Sequence, residues 1–409
     1  MDVTFNPFSG DFRADPYPGL HALRAHDPVH FIDIPGLWFL TRYDDVVAAL
    51  RDPRLSAERF QLTLPEMQSS ALISSLSTMM LLRDPPHHTR LRALVSKAFT
   101  PRIVENLRPR IQEIVDGLID AVQPDGRMEL MQDLAAPLPV VVIAQLLGIP
   151  VEDRAQFKRW SDALLVIADG TLAPAGFADA ERSAAEFKEY LGGIIARRRA
   201  HPADDMISGL LAAQEREDRL TADELFSTCV LLLIAGHETT SNLIGNGMLA
   251  LLRHLDQLAL LRDNPPLIRG AIEELLRYES PVQLTSRVAK EDFEIRDKHV
   301  CKGQEVCLGL AAANRDPEEF AEPDRLDITR ADNQHVAFGH GLHFCLGAPL
   351  ARLEGQIAIL TLLRRLPGLR LATDAVEWRE GIMMRSLKAL PLRFEPGGGF
   401  DGSMLIAGG

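Results

Sequence analysis

The chain has 409 residues, of which 46% are hydrophobic and 25% charged, and a formal net charge of −13 at pH 7. That composition supports a large buried core and argues against extensive disorder, and the acidic balance disfavours non-specific nucleic-acid binding. Four scattered cysteines, Cys229, Cys301, Cys307 and Cys345, form neither a disulfide framework nor a Cys-x-x-Cys pair, which points to a reducing, cytoplasmic compartment. The N-terminal residues lack the basic and apolar regions of a signal peptide. No uninterrupted apolar run reaches membrane-spanning length, so no membrane anchor is expected.

Taken in order, the first fifty-odd residues alternate Pro-rich turns with the short apolar runs Val29–Ile32 and Leu37–Leu40, the pattern of a small β patch. Asp44 and Asp45 then stand where a short helix through Leu50 would start. From Ser56 to Leu82 the pattern loosens into Ser, Met, Gln and Leu, which in a compact protein marks a lid or binding loop. Asp84-Pro-Pro-His-His-Thr-Arg-Leu-Arg92 opens a helix with prolines at its start. His88 and Arg92, four apart, share one face of it; spacing alone fits a solvated basic face as well as a binding site. Helical periodicity dominates from Ile103 to Arg199, with breaks at Pro124-Asp-Gly126, Pro137, Pro150 and between Gly170 and Gly176. The apolar but breaker-rich stretch Leu164–Phe177 reads as a mobile cover over a pocket or as a buried inter-helix loop.

Thr221 and Glu224 frame a capping box, the start of a helix that runs to about His254 and is roughly 50 Å long at ~1.5 Å per residue. Its middle is unusual. The apolar run Cys229–Ala235 meets Gly236-His-Glu-Thr-Thr-Ser-Asn242, and burying an acid and several hydroxyls in mid-helix is costly without partners. His237-Glu238 begins a zinc-type His-Glu-x-x-His, but Ser241 stands where the second His is required. Zinc is excluded. A further helix follows Asp263-Asn-Pro-Pro266 and carries Glu274 and Arg277 three apart, the spacing of an ordinary surface ion pair. Strand-like runs come at Gln283–Val288, Glu294–Ile295 and Glu305–Leu310, and again between Pro367 and Pro396, with Gly381–Ser386 as a hairpin tip. The tail Gly397–Gly409 is Gly-rich and expected to be flexible.

The most informative stretch is Phe338-Gly-His-Gly-Leu-His-Phe-Cys345-Leu-Gly347. Its glycines let the backbone lie close to a flat partner. A cysteine just before a helix faces unpaired N–H groups and the positive end of the helix dipole, which favours the thiolate. Such a thiolate suits an axial ligand to haem iron, although a lone cysteine there is also a common inert core residue.

These ten residues resemble the haem-binding signature of the cytochrome P450 family, Phe-Gly-x-Gly-x-His-x-Cys-x-Gly, at every fixed position. Three more stretches resemble the same family, in its order. Pro85-Pro-x-His88-Thr-Arg-x-Arg92 is similar to the segment that grips the haem propionates, which makes His88 and Arg92 contacts, with Arg287 and His343 as the others. Ala235-Gly236-x-Glu238-Thr239 resembles the oxygen-activating groove, with Glu238 and Thr239 as an acid–alcohol pair and Gly236 allowing the helix to widen locally. Glu274-x-x-Arg277, joined by Arg325, resembles the family's structural triad.

The resemblance implies one mainly α domain with small β-sheets over residues 1–396, the cytochrome P450 fold. Haem b would lie between the long helix and the Cys345 loop, with Phe338 and Gly339 against it. The implied activity is insertion of one oxygen atom from O2 into a hydrophobic compound: a terpenoid, fatty acid, steroid or macrolide-like molecule. Electrons would come from NAD(P)H through a separate ferredoxin or flavodoxin, and the protein would be a monomer. A peroxide-driven peroxygenase and a non-catalytic haem sensor are the alternatives. Lys97, Arg102 and Arg352 are expected to attract an acidic ferredoxin. Leu81, Leu231, Ile234, Ala235, Val282, Gln283, Met383 and Met384 are expected to line the substrate pocket, with Gln283 and Arg385 as polar orienting groups.

Overall fold

The computed structural model describes residues 6–396 apart from 8, 35, 60–69, 169–173, 204 and 213–219. The Gly-rich tail, part of the loose segment after Ser56 and the centre of the Leu164–Phe177 stretch therefore lie outside the described residues. Helices build the body. The capping box forms as read: Thr221 Oγ1 accepts from the Glu224 amide at 3.1 Å, and the Glu224 carboxylate accepts from the Thr221 amide at 2.8 Å. The helix it starts, Ala222–Arg253, has 32 residues and so spans ~48 Å.

The second half of this long helix, from Thr240 to Leu252, is buried throughout. Small residues let its neighbours approach. A Cβ at Gly247 would meet Leu275 at 3.1 Å, and one at Gly355 would meet both Leu243 and Ile272 at 3.1 Å. Through these contacts the helices Ile268–Tyr278 and Ala348–Arg365 pack on the long helix, and the apolar helix Pro137–Leu146 covers another side. One continuous apolar cluster runs through all of them.

A five-stranded sheet stands beside the helical body, in the order Val29–Ile32, Leu37–Leu40, Glu305–Leu308, Thr285–Ala289, Leu55–Ser56. Its central pairing is parallel, from Leu37 opposite Glu305 to Leu40 opposite Leu308. The sheet thus joins the two ends of the chain and carries Arg287 opposite Val306. The expected strands near Glu294 and Pro391 also form, as the pair Phe293–Ile295 with Lys298–Val300 and as Pro391–Arg393 between Arg127–Glu129 and Arg370–Leu371.

The N-terminal region is more helical than its prolines suggested, with helices Gly10–Ala14 and Tyr17–His26 preceding the strands. Pro16 and Pro18 flank the start of the second, where a missing N–H costs nothing, and Tyr17, Leu20, Leu23 and Arg24 are buried along one face. Pro137 likewise begins a helix rather than breaking one. No helix among the described residues is long and apolar enough to cross a membrane.

The Glu274–Arg277 pair is not on the surface. Both side chains are 0% exposed, and two parallel 2.8 Å hydrogen bonds join them. The remaining N–H groups of Arg277 go to the carbonyls of Asn314, Pro323 and Arg325. Arg325 itself is not the third member of the set. Its side chain is 60% exposed and pairs with Glu322; only its backbone serves the cluster. Arg330 takes the place, donating from Nε to Glu274 at 3.2 Å with a side chain 12% exposed. The irregular turn here brings the second arginine back over the acid, a path no local pattern specifies. Replacing Arg277 by Ala takes the bidentate partner from the buried Glu274 carboxylate and the donor from three carbonyls, and should cost roughly 3–5 kcal/mol. Arg330→Ala should cost roughly 1.5–3 kcal/mol, and Arg325→Ala less than about 0.5 kcal/mol. Urea unfolding of the three variants checks the order.

Candidate active site

Gly339 and Gly341 adopt φ of +69° and +70°, the left-handed region that a side chain resists. A Cβ at Gly341 would also press on the Leu50 carbonyl at 3.2 Å, so the loop is folded tightly against the helix Tyr43–Arg51. The Cys345 amide donates to the Phe338 carbonyl at 2.9 Å, closing the loop on itself. The sulfur then sits just ahead of the helix Ala348–Arg365. Burial pushes the Cys345 thiol up, outweighing the Gly347 and Ala348 amides and the Arg92 and Arg352 guanidiniums that pull it down. Helix-end position alone therefore does not make the free sulfur a thiolate here; coordination to a metal would.

Around this loop the chain gathers cations. His88 is 2% exposed, and neither of its ring nitrogens has a hydrogen-bond partner. Its ring lies 4.1 Å from that of His343. Burial, reinforced by His88 and Arg287, pushes His343 down to about 3. Burial and the neighbouring Arg59 push Arg287 down to about 10. Burial and Arg92 push His88 down as well, and Arg92 donates to the Phe344 carbonyl at 2.8 Å. The acid nearest this group, Asp84, is already engaged by Ser56 Oγ at 2.7 Å and the Ala57 amide at 2.9 Å. Five cationic or imidazole side chains short of counter-charge, two of whose nitrogens are orphaned, fit a ligand that brings carboxylates. The donor set thus suits haem, with Cys345 for the iron and His88, Arg92, Arg287 and His343 for the propionates.

The long helix faces the same region. Its flanks are buried, but Leu231, Ile234, Glu238 and Thr239 are partly exposed and Ala235 is exposed, a stripe at helical spacing. The long helix and the helix after Cys345 run in the same sense where they touch, with Leu243 beside Gly355 and Gly247 beside Ile359. One to two turns back along each come Thr239 with Ala235 and the Cys345 loop. Thr239 donates to the Ala235 carbonyl at 2.6 Å, and Glu238 accepts from Ser386 Oγ at 2.8 Å. The local widening expected at Gly236 is absent, because Ala222–Arg253 is an unbroken α-helix. Gly236 instead makes room for Ile143, whose Cδ1 would lie 2.6 Å from a Cβ there.

The profile of the family described as Cytochrome P450 matches residues 39–367. The chain belongs to the cytochrome P450 family. It is 47% identical to "Vitamin D(3) 25-hydroxylase" of Pseudonocardia autotrophica over 395 residues, 95% of this chain and 96% of that protein. It is likewise 47% identical to "Cytochrome P450 monooxygenase PikC" of Streptomyces venezuelae, over 95% of this chain and 93% of that one. A crystal structure of P450BioI in complex with a hexadec-9Z-enoic acid-ligated acyl carrier protein superposes with a TM-score of 0.88 at 45% identity, covering 94% of this chain and 99% of that one. The chain is thus a P450 monooxygenase, a family of haem enzymes.

Other expected site residues in this P450 are scattered. Leu231, Ile234 and Ala235 do share the face of Thr239. Val282 and Met384 pair across an isolated bridge, and the Gln283 amide donates to the Met383 carbonyl. Gln283 and Met384, however, line a small cavity with Phe12, Arg13 and Trp378. Leu81 is 42% and Met383 38% exposed. Arg385 cannot orient a substrate: it is held by Glu279 at 3.0 Å, by the Arg13 and Ala14 carbonyls, and by the Trp378 ring at 3.5 Å.

Lys97 and Arg102 are exposed, but Arg352 is taken by Glu273 through two 2.7 Å bonds. Several residues escaped sequence reading: Arg59, Arg330, Ser386 and Glu354. Glu354 is 1% exposed with one carboxyl oxygen unpartnered, and burial raises it well above the usual range. Nothing in their local patterns distinguishes them.

Glu273 also binds His335 at 3.1 Å. Burial acts to raise Glu273, but the Arg352 and His335 hydrogen bonds prevail and hold it at about 2 against an ordinary 4.5. A depressed carboxylate stabilises the fold above pH 4.5, and that contribution is lost as pH falls toward 2. Wild type should therefore lose stability across this window more steeply than Glu273→Gln, with a difference at neutral pH on the order of 2 kcal/mol after discounting for partial exposure. Denaturant titrations at stepped pH measure it.

Proposed function

We propose that this P450 uses haem b and O2 to oxygenate a hydrophobic substrate, with electrons passed from NAD(P)H by a separate ferredoxin or flavodoxin in the cytoplasm. The observation that carries the reading is the buried His88, both of whose ring nitrogens lack a partner, stacked on His343 in the group that includes Arg92 and Arg287 near Cys345. When bound, haem supplies the oxidising chemistry, and a thiolate ligand favours O–O cleavage.

The protein's own groups do the rest. Cys345 gives its sulfur to the iron, and the amides of Gly347 and Ala348 with Arg92 moderate the negative charge on it. His88, Arg92, Arg287 and His343 would hold the propionates and so orient the cofactor. Thr239 spends its proton on the Ala235 carbonyl, which leaves its lone pairs free to accept a hydrogen bond. Glu238, beside it on the helix, holds the proton that is delivered. The intact pair supports O2 rather than peroxide as the oxidant. Leu231, Ile234 and Ala235 exclude water and hold the substrate by apolar burial.

The substrate is a compound with an extended apolar body, in the range spanned by vitamin D3 and a fatty acyl chain. Lys97 and Arg102 remain as docking charges for an acidic electron donor.

The test is spectroscopic. Ferrous protein with carbon monoxide should show the red-shifted Soret band of thiolate ligation, and Cys345→His should abolish it; a variant that keeps the band would rule out Cys345 as the ligand. Thr239→Ala and Glu238→Gln should each lower product formation by roughly 10²-fold or more, with more of the consumed NAD(P)H ending in hydrogen peroxide. Product and peroxide yields per NAD(P)H consumed check this.

A further inference from the structure

Glu238 is not alone on its side of the long helix. Its carboxylate accepts the Ser386 hydroxyl at 2.8 Å, and Asn242 Nδ2 donates to the same Ser386 oxygen at 2.7 Å. Asn246 Nδ2 donates to the Arg385 carbonyl at 2.8 Å, while its Oδ1 is buried without a partner. Glu238, Asn242 and Asn246 lie four apart and form one polar stripe, along which the segment Arg385–Ser386 is laid. Ser386 is 4% exposed and the two asparagines 1% each.

A serine hydroxyl has one proton and two lone pairs. The proton goes to Glu238 and one lone pair to Asn242, so one lone pair is left for a donor. Ser386 is also part of the wall of a partly open cavity of about 20 Å³ lined with Arg13, Gln283, Trp378, Arg379 and Met384. A water needs roughly 10–15 Å³ of such space and a few polar partners. The cavity offers both, between the N-terminal segment and the C-terminal hairpin.

We propose that Ser386 returns a proton to Glu238 from water in this cavity, which makes it the residue that recharges the acid after each delivery. The inference rests on the reading of Glu238 as the proton source. In the step, the Ser386 O–H bond breaks as an O–H bond forms on the Glu238 carboxylate. At the same time a cavity water breaks its own O–H bond and restores the serine hydroxyl. That water takes a proton from bulk hydronium in turn, so the net change is one proton moved from solvent to Glu238 and no hydroxide remains.

The experiment uses the haem-loaded ferric protein. The Glu238 carboxyl is followed by infrared difference spectroscopy during transfer into D2O, its band assigned by loss in Glu238→Gln. Ser386→Ala should slow deuterium exchange at Glu238 at least tenfold, and Ser386→Thr should restore it. Met384→Trp, which fills the cavity, should slow exchange without moving the band. In turnover with a plant-type [2Fe–2S] ferredoxin, its reductase and NADPH, Ser386→Ala should raise the solvent isotope effect on NADPH consumption. Wild-type exchange and isotope effect in Ser386→Ala would overturn the proposal. So would a shifted band with unchanged exchange, because the serine would then only orient the carboxylate. Unchanged peroxide yield per NADPH in Glu238→Gln would instead sink the acid–alcohol reading beneath it, an outcome the Ser386 variants cannot mimic.

Discussion

Five hydrogen bonds from one guanidinium hold the catalytic side of this molecule together. Arg277 is 0% exposed, and every N–H it owns is spent: two on Glu274 and three on the carbonyls of Asn314, Pro323 and Arg325. The segment those carbonyls belong to has little regular structure of its own and would otherwise leave polar backbone buried without partners. Glu274 completes the knot by accepting from the Asp327 amide, Arg330 and Asn333. From there the chain passes through His335, fastened to Glu273, straight into the loop that ends at Cys345. The position of the sulfur is therefore set by a buried ion pair on another helix.

The opposite arrangement holds where haem would lie. There the protein concentrates positive charge and withholds acids, so burial works against the charged forms of His88, Arg92, Arg287 and His343. Such a site is costly while its ligand's carboxylates are missing and is relieved when they arrive. Binding and stability are then linked: whatever pairs these cations also stabilises the fold. The Glu238–Thr239 turn is held by side-chain hydrogen bonds instead, Thr239 to its own helix and Glu238 to Ser386.

What could be read in advance was what is local. The loop glycines, the capping box, the His88–Arg92 face and the Glu238–Thr239 pair all declare themselves within ten residues, and the family resemblance carried the fold from them. What depends on distant partners did not show. Arg325 and Arg330 stand five apart in an irregular stretch, and only the folded path decides which one meets Glu274. Arg352 looked like a surface charge until Glu273, on another helix, neutralised it. Gln283 and Met384 were assigned to the substrate pocket by neighbourhood, yet the fold brings the N-terminal Phe12 and Arg13 to them around a small cavity. The helix Tyr17–His26 was hidden by prolines that sit where a helix tolerates them.

The sheet that joins the two ends of the chain has a consequence for how the protein is made. The strand Leu37–Leu40 finds its parallel partner only in Glu305–Leu308. Tyr17 waits for Tyr278 and Glu279, Arg24 for the Ala312 carbonyl, and Tyr43 for the Gln334 carbonyl. The Arg13 and Ala14 carbonyls wait longer still, for Arg385. On a ribosome the N-terminal residues emerge first but cannot reach their final contacts until nearly the whole chain has been synthesised. Such non-local closure slows folding and leaves unpaired strand edges exposed in the meantime. The first part of the polypeptide to appear is thus among the last to be fixed, and a ribosome that stops short of Arg385 releases a chain in which the Arg13 and Ala14 carbonyls lack that guanidinium.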